Sequence, residues 1–378
     1  GVSELDEILF KDMSSEKWLF LGNLKAGNYF CSTLNEKSPF VDTRLLPEEI
    51  YHKGMMQLLS SREETGNYTN LEERLNEMLG KTFTKNIYQV VTKKFLSNEL
   101  RELAPSLIGL IGQLTRVIGF TPEITRELKK ISLFDKKLAF HSSEEGQSTL
   151  KNYYPVKGGI GLWIDDIEKK LDQVGVEILK NTTVDKINHT NGKIDSVVLN
   201  NGNHLNCNQL IWTAPVYQCL KSSGLTPPFK TESPIRLITS IHHFVFDQPF
   251  LTDLYYFVCT DPDMPSFRIT LYPNIQGMSS DEKGYRITVE VLSLEKQDLV
   301  ETAKRVHIDL QKMGIVSDEA KIVFQQNDTL NETFPVPTHQ FIKDSEMQLN
   351  FAKESLKNVL FLGKNVGNTW FMQDILVE

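Results

Sequence analysis

The chain has 378 residues, of which 40% are apolar and 10% aromatic, so its composition is that of a globular protein and excludes wholesale disorder. Its formal net charge of −8 argues against nucleic acid as the main partner, because a phosphate-tracking surface needs clustered Lys and Arg. Its length predicts two domains rather than one core.

Membrane insertion and metal binding are not predicted. The nearest candidate for a membrane span, residues 107–120, contains Gln113 and Arg116 and is shorter than the ~20 apolar residues that a spanning helix needs. The four cysteines lie far apart in the sequence, without metal-ligand spacing. This pattern favours reduced thiols and a cytoplasmic location.

Residues 1–140 are predicted to be mainly helical. Pro47 followed by two acidic residues is typical of a helix start, and leucines recur at helical spacing in residues 71–79. The polar run at residues 60–70 predicts a loop between these helices.

The pattern changes after residue 158. Residues 159–174 predict an amphipathic helix, and the run "VEILKN" after Gly175 predicts a strand. The pair Asn191-Gly192 lies between two alternating apolar runs and predicts a tight hairpin turn, and a second pair, Asn201-Gly202, continues the meander. The apolar run "LIW" before "TAP" predicts a buried strand.

Residues 234–294 contain at least four strand-like runs separated by turns, which predicts an antiparallel sheet. Neighbouring strand residues point to opposite faces, so His242 and His243 are not expected to bind one metal ion together. An amphipathic helix is predicted over residues 297–314. The last residues predict a short buried strand, a glycine turn and the start of a helix.

Four stretches in chain order carry a family resemblance. They are "YPVKGGIGLWIDDIEKKLDQVGVEILKNTTVDKI", "LIWTAP", "YYFVCTDPDMPSFRITLYP" with "ITVEV" after it, and "NVLFLGKNVGNTWFMQD". Together they resemble the flavin-dependent amine-oxidase-like superfamily, especially the branch of protoporphyrinogen oxidases and UDP-galactopyranose mutases. The resemblance implies a mixed α/β (α+β) fold, in which a Rossmann-like FAD-binding domain is interleaved with a substrate domain of helices and an antiparallel sheet.

The sequence departs from that family in two places. Family members begin with a strand, a G-x-G-x-x-G turn and a helix that hold the FAD diphosphate, and no such run occurs in this sequence. The family's arginine in the last motif is Lys364, which keeps the charge but not the planar fork. We therefore expect an incomplete FAD-binding domain, because the chain is truncated or processed, has lost the unit, or is one half of a split protein.

The resemblance implies four segments. Residues 1–145 would be the helical part of the substrate domain, residues 146–232 the partial FAD-binding domain, residues 233–352 the sheet and helix of the substrate domain, and residues 353–378 the C-terminal part of the FAD-binding domain. A missing central strand would expose apolar surface and unpaired backbone. We therefore expect an unusual strand order, or a partner chain or dimer that covers this edge.

The resemblance also implies site residues. The cofactor-binding residues would be Gly158, Gly159, Val184, Ala214, Gly363, Lys364, Gly367, Trp370 and Met372. Arg268, which is expected to point away from Phe267 and Ile269, would bind the substrate through its guanidinium group. A structural explanation competes, because glycine also relieves crowding at a loop–helix junction and exposed strand arginines are common. No catalytic residue is assigned, since a flavin would carry the chemistry.

Three functions remain open at this point. The first is an FAD-dependent oxidoreductase that acts on an unknown small molecule, and the second is a flavin-dependent sugar-nucleotide mutase. The third is a non-catalytic protein that binds a ligand or a partner. The sequence favours the first over the second, because a mutase needs several phosphate contacts that the sequence does not place.

Overall fold

The computed structural model describes residues 7, 9–11, 13–109, 115–146, 152–277, 284–331, 333, 335–364 and 375. Three predicted site residues, Gly367, Trp370 and Met372, lie outside the described residues. The chain divides into two compact units. Unit 1 comprises Gly1–Met13, Ile160–Pro234 and Thr338–Glu378, and unit 2 comprises Ser14–Gly159 and Ile235–Pro337.

The strands are β1 (Trp18–Phe20), β2 (Ala26–Phe30), β3 (Thr33–Asn35), β4 (Val41–Asp42), β5 (Val117–Ile118), β6 (Tyr153–Pro155), β7 (Val184–Thr190), β8 (Lys193–Leu199), β9 (His204–Asn206), β10 (Leu210–Trp212), β11 (Ile238–Phe246), β12 (Tyr256–Cys259), β13 (Ser266–Leu271), β14 (Tyr285–Ser293), β15 (Ile322–Leu330) and β16 (Val359–Phe361). The helices are α1 (Glu48–Leu59), α2 (Leu71–Leu79), α3 (Lys81–Phe83), α4 (Gln89–Leu96), α5 (Pro122–Leu128), α6 (Ser132–Asp135), α7 (Gly161–Gln173), α8 (Val216–Ser222), α9 (Tyr272–Gln276), α10 (Leu299–Lys312) and α11 (His339–Ser355). A π-helical turn, Thr84–Tyr88, joins α3 to α4.

Unit 2 is built on a seven-stranded sheet with the strand order β15-β11-β14-β13-β12-β2-β3. All neighbours in it are antiparallel except β12 and β2. The antiparallel sheet predicted for residues 234–294 is therefore confirmed. One face packs apolar side chains against α10, with Phe244, Phe257 and Val306 in the same buried cluster. On the other face, Val258 and Phe267 pack against the helical cluster that contains Phe83.

The mainly helical character predicted for residues 1–140 is wrong at residues 18–35. There the chain forms β1, β2 and β3, and β2 adds to the large sheet beside β12. All five residues of β2 are buried. Burial between sequence-distant neighbours outweighs local propensity here, as is usual for strands.

Unit 1 contains a three-stranded antiparallel sheet, β7-β8-β9, and a two-stranded parallel sheet, β10-β16. A buried cluster that includes Ile187, Trp212, Leu220 and Phe361 packs these strands against α8 and α11. The predicted Asn-Gly hairpin is present between β7 and β8, where Asn191 and Gly192 both have positive φ.

The parallel sheet of unit 1 has an open face. Ile211 pairs with Leu360 across β10 and β16, and these side chains are 58% and 44% exposed. The strand predicted from "VEILKN" does not form, since residues 176–179 are exposed and pair with no described strand. A strand without neighbours leaves its backbone groups unpaired, which explains why this apolar run stays irregular.

Candidate functional site

The two parallel strands of unit 1 end side by side. Trp212 at the end of β10 pairs with Phe361 at the end of β16, and the Leu362 amide donates to the Trp212 carbonyl at 3.1 Å. Ala214 lies two residues beyond the end of β10, and Gly363 lies two residues beyond the end of β16. We call Ala214, Gly363 and Lys364 the carboxyl edge. Ligands of open parallel sheets bind outside the carboxyl ends of the strands.

The residues of the carboxyl edge differ in backbone conformation and in exposure. Gly363 has φ +89°, a conformation that favours glycine, and an added Cβ would make only ordinary contacts, at 3.7 Å and 3.8 Å, with Thr213. Lys364 is exposed. Val184 opens β7 opposite Leu199 and packs against the same apolar cluster as Ala214. The structure thus brings Ala214, Gly363 and Lys364 to one edge.

The predicted glycine loop at residues 158–159 belongs to unit 2. The Gln276 side-chain amide donates to the carbonyls of Pro155 and Gly158 at 2.8 Å and 2.9 Å, and its oxygen accepts from Arg286 at 3.2 Å. A Cβ added at Gly158 or Gly159 would meet no atom within 4 Å. Relief of crowding therefore does not explain either glycine. The φ of +75° explains Gly158, and Gly159 borders open space.

Arg268 is placed differently from the prediction. Its guanidinium group donates to Glu290 Oε1 from Nε at 3.0 Å and from Nη2 at 2.5 Å. Arg268 pairs in register with Val258, and a β-bulge lies between Ser266 and Arg268. The bulge changes the alternation of side chains, so that Phe267 packs against Phe95 on the helical side, the face of Val258 and Arg268.

The expectation that Arg268 points away from both of its neighbours is therefore wrong for Phe267. It holds for Ile269, which is buried in the cluster on the other face. The Arg268 charge is balanced by Glu290, and a ligand anion would have to share the guanidinium group with this carboxylate.

A row of polar residues on the large sheet was missed by the sequence analysis. Tyr256 pairs with Thr270, Thr270 pairs with Thr288, and Thr288 pairs with His243, across four neighbouring strands. The His243 Nδ1 lies 2.8 Å from the Thr288 hydroxyl oxygen. His242 is buried on the other face, where its Nδ1 lies 2.9 Å from Asn327 Oδ1. Polar residues at alternating strand positions were the available signal.

A flavin fits the carboxyl edge in part. A small residue, a glycine with positive φ and a cation at the carboxyl ends of parallel strands leave room for a cofactor that carries negative charge, as the resemblance implies for FAD. The phosphate-binding G-x-G-x-x-G run is absent from the sequence.

No group of three or more metal-ligating side chains occurs among the described residues. Within the same residues, no helix is long and apolar enough to span a membrane.

The fold is similar to those of several solved structures. No protein-family model matches the chain, and no curated protein does. Among solved structures, a reduced UDP-galactopyranose mutase matches with a TM-score of 0.68 and 13% identity, over 92% of this chain and 73% of that chain. A candidate protoporphyrinogen oxidase from Exiguobacterium sp. 255-15 matches with a TM-score of 0.61 and 15% identity, over 97% of this chain and 81% of that chain.

A third match is an oxidoreductase from Methanosarcina mazei, with a TM-score of 0.53 and 11% identity, over 88% of this chain and 72% of that chain. These likenesses show the fold. The chain has the same fold as these structures, and the mixed α/β class predicted from the sequence is confirmed. This fold agrees with the resemblance drawn from the sequence.

Proposed function

We propose that this chain functions in an FAD-dependent oxidoreductase of the amine-oxidase and protoporphyrinogen-oxidase type that acts on a small molecule. The observation that carries the proposal is the carboxyl edge, where β10 and β16 end together and Ala214, Gly363 and Lys364 follow them. The shared fold supports a flavin as the ligand of this edge.

The residues of the carboxyl edge have separate roles in this proposal. When bound, FAD would accept a hydride from a carbon atom of the substrate. Ala214 and Gly363 would leave room for the cofactor, because neither has a side chain beyond Cβ. Lys364 would hold a positive charge beside it, and a fixed cation favours negative charge nearby. The predicted roles of Gly158, Gly159 and Val184 in cofactor binding and of Arg268 in substrate binding stay proposals.

We further propose that a complementary βαβ segment completes unit 1. It would cover Ile211 and Leu360 on the open face and would supply the helix N-terminus that binds the FAD diphosphate. The segment would come from a longer form of the polypeptide or from a partner chain.

The four cysteines are free, which supports a reducing compartment such as the cytoplasm.

FAD titration tests both proposals. We expect the chain alone to bind FAD weakly. A form extended at its amino end by a Gly-rich βαβ unit, encoded by upstream coding sequence, is expected to bind FAD tightly. Flavin fluorescence and absorbance measure both affinities. Equal affinity with and without the unit would contradict the completion of unit 1. If neither form takes up FAD, the flavin proposal is wrong and the non-catalytic function stands.

Charge reversal of Lys364 tests the carboxyl edge. In the FAD-binding form, Lys364→Glu is expected to weaken FAD affinity by about tenfold, roughly 1.4 kcal/mol, because the lost cation becomes an anion beside an anionic cofactor. Lys357→Glu is the matched control, since Lys357 is an exposed lysine that precedes the same strand at its amino end. An equal effect of both variants would show that only the net charge matters.

The mutase remains the second candidate because of one observation. The UDP-galactopyranose mutase matches with a higher TM-score, 0.68, than the protoporphyrinogen oxidase candidate, at 0.61. Turnover assays separate the two functions. Reduction of oxygen or a dye in the presence of substrate supports the oxidoreductase, and interconversion of UDP-hexoses only after flavin reduction supports the mutase.

A further inference from the structure

Unit 2 contains a cavity that none of the functions above uses. Its volume is about 450 Å³, within the usual range for small-molecule sites. Aromatic side chains of Phe40, Phe140 and Tyr256 form part of its wall. Its charged lining residues are Arg116, Lys129 and Asp135. We call it the Arg116 pocket.

Lys129 has no hydrogen bond left to offer a ligand. Its buried ammonium group donates to Asp135 Oδ1 at 2.6 Å, to the Asp135 carbonyl at 3.3 Å and to the Leu138 carbonyl at 2.9 Å. An ammonium group has three donors, and these contacts use all of them. The group also lies 4.5 Å from the centre of the Phe140 ring. Lys129 therefore fixes the wall of the pocket.

Asp135 is an ionised carboxylate that Lys129 holds in place. The hydrogen bond from Lys129 lowers the pKa of Asp135, and the positive charges of Lys129 and Arg116 lower it further. The lining thus carries two cations and one carboxylate. Its net charge of +1 suits a monoanion better than a dianion.

Arg116 is the lining cation with donors to spare. It is half-buried and makes no hydrogen bond or ion pair with the described residues, although its charge acts on Asp135. A guanidinium group presents donors in a planar fork that matches a carboxylate in two parallel hydrogen bonds. A half-buried guanidinium group that has no partner among the described residues and lies beside aromatic side chains is suited to an anionic end group on an apolar ring.

We propose that the Arg116 pocket binds a small aromatic carboxylate. Arg116 pairs with the carboxylate, and Phe40, Phe140 and Tyr256 contact the ring. Tyr256 also begins the polar row of the large sheet, so the bound ring lies beside one end of that row. The site stands on residues of unit 2 alone and does not depend on the proposed flavin.

Calorimetric titration of the full chain with indole-3-acetate and with indole-3-acetamide tests the proposal. The two probes share the ring and differ in charge. We expect the acetate to bind at least about tenfold more tightly, the effect of one charge-assisted bidentate contact. Inorganic phosphate is expected to bind more weakly than indole-3-acetate. It has no ring to contact the aromatic side chains, and its dianion suits the net charge of +1 in the pocket less well.

Variants locate the site. Arg116→Gln is expected to weaken indole-3-acetate binding by about tenfold and Arg116→Lys by less, because lysine keeps the charge without the fork. Ser142→Trp, which fills the pocket, should abolish binding of both indole probes. The control is Arg101→Gln, an exposed arginine outside the lining. Circular dichroism checks that each variant is folded.

Three results would overturn the proposal: equal affinity for the two indole probes, unchanged binding by folded Arg116→Gln and Ser142→Trp, or phosphate binding as tight as that of indole-3-acetate. The titrations are made without FAD. Failure of the Arg116 pocket is therefore distinguishable from failure of the carboxyl edge, which the Lys364 variants report.

Discussion

Replacing Gly54 by alanine is expected to destabilise the protein by about 1–3 kcal/mol, although alanine is the better helix former by about 1 kcal/mol. Gly54 lies inside α1 and is buried. A Cβ at this position would come within 2.5 Å of Phe83 Cζ and 2.6 Å of Phe83 Cδ1. The Phe83 ring is fully buried in the helical cluster, so any shift of the ring disturbs the side chains packed around it. Denaturant unfolding followed by circular dichroism measures the loss.

Gly161→Ala is the matched control for Gly54→Ala. Gly161 begins α7, and a Cβ there would meet no atom within 4 Å. Without an overlap, only the helix propensity and the smaller entropy of the unfolded chain remain, so we expect a gain of about 0.4–1 kcal/mol. A similar effect of the two substitutions would mean that the Phe83 ring does not occupy the space beside Gly54.

The second large effect is expected at the turn between β7 and β8. Gly192 has φ +79°, and a Cβ there would overlap the carbonyl oxygen of Ser355 at the end of α11. The Gly192 carbonyl also accepts a hydrogen bond from the Lys357 amide at 2.9 Å, so the turn is tied to the same backbone. Gly192→Ala is expected to cost about 2–4 kcal/mol, from the left-handed backbone and from overpacking.

Gly202→Ala separates these two causes. Gly202 has φ +82° and follows an asparagine, like Gly192, but a Cβ there would meet no atom within 4 Å. It should cost only the backbone contribution, about 1–2 kcal/mol. The comparison is made by unfolding the two variants in parallel. If both lose the same stability, the contact between the hairpin and the end of α11 contributes nothing.

Elements with strong local signals were predicted well. The helix expected over residues 297–314 is α10, Leu299–Lys312, because Asp298 accepts hydrogen bonds from the amides of Val300 and Glu301 at its start. The start of α1 after Pro47 is also as predicted. Caps and turn residues act within a few positions, so the sequence alone contains their cause.

Elements that depend on distant partners were not predicted. β2 pairs with β12, more than 200 residues further along the chain, and local propensity contains no trace of that neighbour. The opposite error occurs at residues 176–179, where a strand-like sequence has no described strand to pair with. Pairing, rather than residue type, decides both cases.

The candidate sites also differ in whether the sequence could indicate them. Ala214, Gly363 and Lys364 were predicted through the family resemblance, and their common position follows from the pairing of β10 with β16. In the sequence, Arg116 is recognisable only as a charge that interrupts the apolar run of residues 107–120. Its pocket gathers residues from Asn23 to Tyr256, a spread that no local pattern indicates.

The two units are interleaved along the chain, and this order has a consequence for biosynthesis. β16 is the only described partner of β10 and is made about 150 residues after it. Unit 2, by contrast, has all of its segments once residue 337 has left the ribosome. A nascent chain that is interrupted between the synthesis of residue 337 and that of β16 would therefore contain all segments of unit 2 but lack the parallel sheet of unit 1.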